Sequence, residues 1–194
     1  MKIVIIGKKW LAAQLLEQCV LGGHEVLRVV SPTGDRLEAA AKNLGIENVA
    51  IDSVPSCDVI LCANAHIYVC PATRSKAIYG AFGYHPSLLP RHRGKDAIRW
   101  AIHMKETATG GTVYQLDDGA DTGPIAVQDW CHILPADTPQ SIWKRELGPM
   151  GLKLFAQLLQ NLTDNTLKLL VQDKGLATWE PAFNTNSISE NKTI

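Results

Sequence analysis

Residues 1–30 read MKIVIIGKKWLAAQLLEQCVLGGHEVLRVV, and the alternation within them decides the fold. MKIVII is a short apolar run rich in β-branched residues and ended by Gly7, the pattern of a buried parallel strand. Over residues 9–21, Leu11, Leu15, Leu16 and Val20 recur at helical spacing, and Gly22-Gly23 stops that helix. HEVLRVVS, residues 24–31, reads as a second strand. Outward from there, residues 35–44 are alanine-rich and helical, and DVILCA (58–63) is another buried strand. Residues 95–105 read as an amphipathic helix, GTVYQLDD (111–118) and IAVQDWCHIL (125–134) as strands, and 138–161 as a long helix holding Trp143, Leu147, Leu154 and Leu158. Strands alternating with helices predict an α/β fold with a parallel sheet. No internal repeat interrupts this pattern. One domain over residues 1–183 is expected, followed by a polar tail, NTNSISENKTI, at 184–194.

The composition narrows the function classes. Nineteen basic residues balance nineteen acidic ones, so the chain lacks the basic footprint of sequence-independent binding to nucleic-acid backbones. Five cysteines, at 19, 57, 62, 70 and 131, form no CxxC pair, and their odd number fits a reducing cytoplasm better than a disulfide framework. No secretory leader pattern precedes the first strand, and the longest apolar runs are strand-sized, so no membrane span is expected. The histidines show no metal-ligand spacing, and no metal is called for. After the first strand, GKKWLAAQ offers one glycine and then Lys8, Lys9 and Trp10. A dinucleotide fingerprint needs glycines at GxGxxG spacing, so nicotinamide binding is not expected.

Chemistry enters at GYHPSLLPRHRG, residues 83–94. Pro86 and Pro90 stiffen this loop, and His85, which precedes a proline, is biased to extended backbone. At the end of a strand such a residue points into the crevice where open α/β sheets bind ligands, and histidine is suited to proton transfer near neutral pH. A histidine satisfied inside a structural loop is the alternative. Thirty-six positions later, DDGADTGPI (117–125) supplies Asp121, a carboxylate able to orient an imidazole or hold a water. DG and TGP are also turn dipeptides, so Asp117 and Asp118 are equally accounted for as residues that shape a hairpin turn. Arg91 and Arg93 flank His92 and suit an anionic substrate, unless they form a solvated basic loop.

HPSLLPRHRG followed by DDGADTGPI resembles the catalytic core of the folate-dependent formyltransferase family, and GLATWEP (175–181) resembles the way those domains close. The resemblance implies a Rossmann-like, doubly wound, mostly parallel sheet in an α/β/α sandwich, with a 10-formyltetrahydrofolate pocket at the carboxyl ends of the strands. It implies that His85 and Asp121 are the catalytic pair. It implies further that the backbone of His66, Ile67, Tyr68 and Val69 lines the pterin pocket and that Asp117, Asp118 and Gly119 close over it. The expected reaction is formyl transfer to a small amine, with a sugar-nucleotide amine open and tRNA disfavoured; a homodimer is left open. One departure stands out. The family's transferases place an asparagine two residues before the histidine, where its carboxamide would donate to the oxyanion, and here that position is Gly83. Losing one such donor costs about 10²–10³ in rate. Protonated His85, a backbone N–H or an arginine are the replacements considered, and on this reading Gly83→Asn raises transfer to an amine. The hydrolase domain of 10-formyltetrahydrofolate dehydrogenase resembles this chain in YHPSLLPRHRG and in lacking that asparagine. Water is therefore a second acceptor to consider, and a catalytically silent folate-binding module a third reading.

Overall fold

The computed structural model describes residues 1–65 and 67–183; the expectations for His66 and for the tail at 184–194 lie outside the described residues. Six strands, β1 (Lys2–Gly7), β2 (Glu25–Val30), β3 (Val59–Ala63), β4 (Ala81–His85), β5 (Ala108–Gln115) and β6 (Ile125–His132), form one sheet in the order β2-β1-β3-β4-β5-β6. The first four are parallel, and β5 and β6 run antiparallel to their neighbours. Because β2 and β3 lie on opposite sides of β1, the chain reverses its direction of winding there. The carboxyl ends of β1 and β3 therefore frame a topological switch point, where α/β sheets bind ligands.

The helices are α1 (Lys9–Leu21), α2 (Arg36–Asn43), α3 (Pro71–Arg74), α4 (Ala97–His103), α5 (Pro139–Ile142) and α6 (Gly148–Thr163). Strand β1 is apolar without alternation because both of its faces are covered. Ile3 and Ile5 pack with Leu11, Leu15 and Leu16 of α1 and with Leu154, Phe155 and Leu158 of α6. Val4 and Ile6 pack on the other face with Val54, Val69 and Ala77. Each such side chain contributes about 1.5–3 kcal/mol on burial. The second face is covered thinly, by the one-turn α3 and by irregular chain, which leaves room for a cleft.

The strand expected over 111–118 runs instead over Ala108–Gln115, and two helix boundaries are corrected. The helix expected over 95–105 begins only at Ala97, because Asp96 is in the left-handed conformation (φ 61°) and its carboxylate accepts from the Phe183 N–H. The helix expected over 138–161 is three pieces. A capping box at Thr138 and Ser141 starts α5, a π-helical turn spans Trp143–Leu147, and α6 continues to Thr163. Pro149 has no N–H to continue an α-helical ladder, and the Gly148 N–H bonds to the Trp143 carbonyl five residues back. Tyr84 stabilises this turn by donating to the Leu147 carbonyl at 2.6 Å.

Gly7 ends β1 where no side chain fits: a Cβ there would lie 2.0 Å from the Ala63 carbonyl oxygen of β3. The contact is with backbone, which cannot move without separating the two strands. Gly7→Ala is expected to destabilise the fold by at least about 2 kcal/mol, the upper part of the usual overpacking range. A shift of the urea midpoint at unchanged slope is the measurement; an unshifted midpoint contradicts it.

Candidate active site

A cleft of about 1070 Å³ opens beside the switch point. His85, the last residue of β4, lies in its wall and is 7% exposed. The Nε2–H donates to the His92 carbonyl at 2.7 Å, because a carbonyl can only accept. The proton on Nε2 is thereby fixed, and Nδ1 is the nitrogen free to gain or lose one. Nδ1 lies 3.6 Å from Oδ2 of Asp121.

Asp121 reaches this position because the loop between β5 and β6 folds back over the sheet. The loop is pinned at its base by Gln115 N–H to the Pro124 carbonyl, and Asp121 itself is in the left-handed conformation (φ 56°). Its carboxylate accepts one hydrogen bond on each oxygen, from the Tyr114 hydroxyl to Oδ1 at 2.6 Å and from the Gly94 N–H to Oδ2 at 2.7 Å. The second bond joins the two sequence motifs directly. Burial, and then the Asp121 charge, push the Tyr114 phenol well above its usual range, so it stays a donor. Cys62 also lines the cleft, but burial pushes its thiol up to about 12 and it is neutral.

The residues singled out in the sequence divide into two groups. Ile67, Tyr68, Val69, Asp117 and Gly119 line the same cleft as His85 and Asp121. Asp117 also shapes its loop, accepting from the Gly119 N–H at 3.0 Å and the Thr122 hydroxyl at 2.7 Å. Asp118 pairs with Arg74, whose guanidinium also donates to the carbonyls of Val69 and Asp117. Arg74 thus ties together the two stretches expected to enclose a pterin, and it was not singled out in the sequence.

Arg91 and Arg93 are outside the cleft, contrary to the expectation that they face a substrate. Arg91 pairs with Glu106, and Arg93 donates to Oε1 of Gln172 at 2.7 and 3.1 Å. Gln172 in turn donates to the carbonyls of Asp121 and Gly123, so Arg93 stabilises the aspartate turn at one remove. Between these arginines, His92 is 2% exposed and lies 3.1 Å from both Glu106 and Glu180, at angles too poor for hydrogen bonds. The cationic side chains that do line the cleft are Lys9, Arg36, Lys95 and Arg99, together with the indoles of Trp10 and Trp143. The N–H of Lys9 is bound by the Asp35 carboxylate at 2.8 Å, so the turn after β1 presents side chains and not that amide. Among the described residues no cluster of His, Cys, Asp and Glu is arranged to hold a metal, and no helix is long and apolar enough to cross a membrane.

The sequence profile described as Formyl transferase matches residues 55–149, which include both motifs. The mitochondrial 10-formyltetrahydrofolate dehydrogenase of Mus musculus is 42% identical over 102 residues, covering 53% of this chain and 11% of that protein. The methionyl-tRNA formyltransferase of Acidobacterium capsulatum is 30% identical over 208 residues, covering 93% of this chain and 65% of that protein. The chain therefore spans less than two thirds of these relatives. Among solved structures, an N-formyltransferase from Helicobacter canadensis, in complex with folinic acid and dTDP-3-aminofucose, superposes on 100% of this chain and 74% of its own. The TM-score is 0.80 at 21% identity. With its paired motifs meeting at one cleft on this sheet, the chain is similar to the formyl transferase family over residues 55–149.

Proposed function

We propose that the protein, as a single catalytic domain over residues 1–183, transfers the formyl group of 10-formyltetrahydrofolate to a small amine. The observation that carries this reading is the approach of His85 Nδ1 to Asp121 Oδ2, 3.6 Å, in the wall of a cleft large enough for a folate head and a second molecule. The relatives and the fold neighbour are named for 10-formyltetrahydrofolate or formyl transfer, which supports the same donor.

In this reaction the acceptor nitrogen bonds to the formyl carbon, and the carbonyl electron pair moves onto oxygen. Collapse then breaks the bond from carbon to folate N10. The acceptor loses one proton and N10 gains one, so the site must only relay protons. His85 suits that task because its Nε2 proton is committed to His92, leaving Nδ1 as the single exchanging position. Asp121 favours the charged imidazolium while the oxyanion exists, and passes a proton by way of His85 or an ordered water. Ile67–Val69 and the Asp117–Gly119 loop, joined by Arg74, enclose the pterin. An acceptor bearing negative charge, such as a sugar-nucleotide amine, suits Lys9, Arg36, Lys95 and Arg99.

His85→Ala and Asp121→Asn are each expected to lower kcat by at least about 10³-fold with folding preserved, read by formyl-folate turnover and circular dichroism. Near-normal turnover in both refutes the assignment. Arg99→Ala and Lys95→Ala are expected to raise KM for an anionic amine several-fold with kcat nearly constant, since they bind charge away from the reacting carbon. Equal KM values for anionic and neutral amines in the parent contradict an anionic acceptor.

Hydrolysis is the second reading, favoured by Gly83 and by the similarity to 10-formyltetrahydrofolate dehydrogenase. Incubation with 10-formyltetrahydrofolate, with and without a panel of amines, separates the two. Formate released at the same rate in both arms indicates a hydrolase; formylated amine indicates a transferase. Folate binding without either product indicates a silent binding module.

A further inference from the structure

Gly83 and Tyr114 face each other across the antiparallel β4–β5 pair, in the same register that sets His85 opposite Thr112. Alternation along the strands puts Gly83, His85 and Tyr114 on one face of the sheet. A Cβ on Gly83 would lie 3.4 Å from both the hydroxyl and Cε1 of Tyr114, and 3.0 Å from Cδ2 of Leu116. A side chain longer than a methyl group that turns from position 83 toward β5 would meet the phenol or Leu116. Glycine on one strand and tyrosine on its neighbour therefore share one volume. The phenol, 7% exposed, uses that volume to reach Oδ1 of Asp121.

A carboxylate in an open cleft can rotate about its last bond. Asp121 cannot do so freely, because each oxygen has its own donor: a backbone N–H fixed by the loop at Gly94, and the Tyr114 hydroxyl fixed by the sheet. With the Tyr114 bond gone, one oxygen is unpaired and the orientation of Oδ2 toward His85 rests on Gly94 alone. We propose that Tyr114 is a positioning residue for the Asp121–His85 pair, and that the bare α-carbon of Gly83 admits it. The proposal rests on the function above, in that it takes Asp121 to act on His85. It also reverses the expectation drawn from the sequence for Gly83→Asn. A carboxamide there displaces the phenol from Asp121, so the rate falls.

The test compares Tyr114→Phe, Gly83→Asn and the double variant with the parent. Tyr114→Phe removes one oxygen and keeps the ring. Its kcat is expected to fall about ten- to a hundredfold, the range for a hydrogen bond to a charged group, while KM for the formyl donor stays within about threefold. Gly83→Asn is expected to lower kcat as well, and the double variant to be no worse than the worse single one, because both lose the same contact. Should Gly83→Asn fail to fold, Tyr114→Phe alone decides the positioning role. Proton NMR of the unliganded protein reads the contact without turnover. The short phenol–carboxylate bond is expected to give a downfield, exchange-protected hydroxyl resonance that disappears in Tyr114→Phe and weakens in Gly83→Asn. A parent that shows the resonance but no turnover refutes the proposed function while leaving the positioning contact standing. A parent without the resonance, a Tyr114→Phe enzyme with parental kcat, or a faster Gly83→Asn enzyme overturns the positioning role.

Discussion

The Asp121 carboxylate is the point at which this structure closes. It accepts from Gly94, at the end of one motif, and from Tyr114 on β5, and it faces His85 at the end of β4. A half-buried carboxylate without donors is costly, and these contacts offset that cost by joining pieces of chain that are distant in sequence. The joint is reinforced from behind, where Gln172 holds the carbonyls of Asp121 and Gly123 and is itself held by Arg93. The placing of Asp121 against His85 therefore depends on the strand register that sets Tyr114 opposite Gly83, and on the segment that supplies Gln172.

Much of this was legible because it is local. The unalternating apolar runs of β1 and β3 record burial on both faces and mark the parallel part of the sheet, whereas β4 and the antiparallel pairing of β5 and β6 left no such record. The position of His85 was legible because two prolines and a strand end restrict where it can point, and Asp121 was singled out by the resemblance of its motif, since a turn alone accounts equally well for its neighbours. Arg74, Tyr114 and Gln172 were not legible. Arg74 meets Asp117 forty-three positions away and Gln172 meets Asp121 fifty-one positions away, and no local pattern records contacts at that range. Tyr114 did carry a faint signal, because the alternation that buries Val113 on one face turns Tyr114 to the other. Only the fold of the sheet and of the loop after β5 converts that alternation into a contact with Asp121. The helix boundaries failed for a related reason. The left-handed Asp96 is held by the Phe183 N–H, and the π-helical turn carries Tyr84 from β4 on its last carbonyl.

The arginines show how proximity in sequence misleads about charge. Arg91 and Arg93 lie within eight residues of His85, yet their partners are Glu106 and Gln172 and their work is structural. The segment after His85 is short and irregular, and these guanidinium contacts tie it to neighbouring chain. The cations of the cleft come instead from the start of α1, the start of α2, and α4 with the segment entering it. They are scattered in sequence and gathered only by the winding of the chain about the switch point.

That gathering bears on how an anionic molecule would be held. In many α/β proteins the turn after the first strand binds phosphate through backbone amides, a rigid cradle that is selective for shape. Here the Lys9 amide is occupied by Asp35 and Trp10 follows it, so that mode of binding is reduced to side chains. Lysine and arginine side chains recognise charge at several distances and orientations, and their attraction is screened by salt when it is exposed. The cationic side of the cleft is thus built from adaptable contacts, whereas Asp121 is held beside His85 by fixed ones. On the proposed function, a site so divided separates the two tasks: the sheet sets the chemistry, and the side chains around it choose the acceptor.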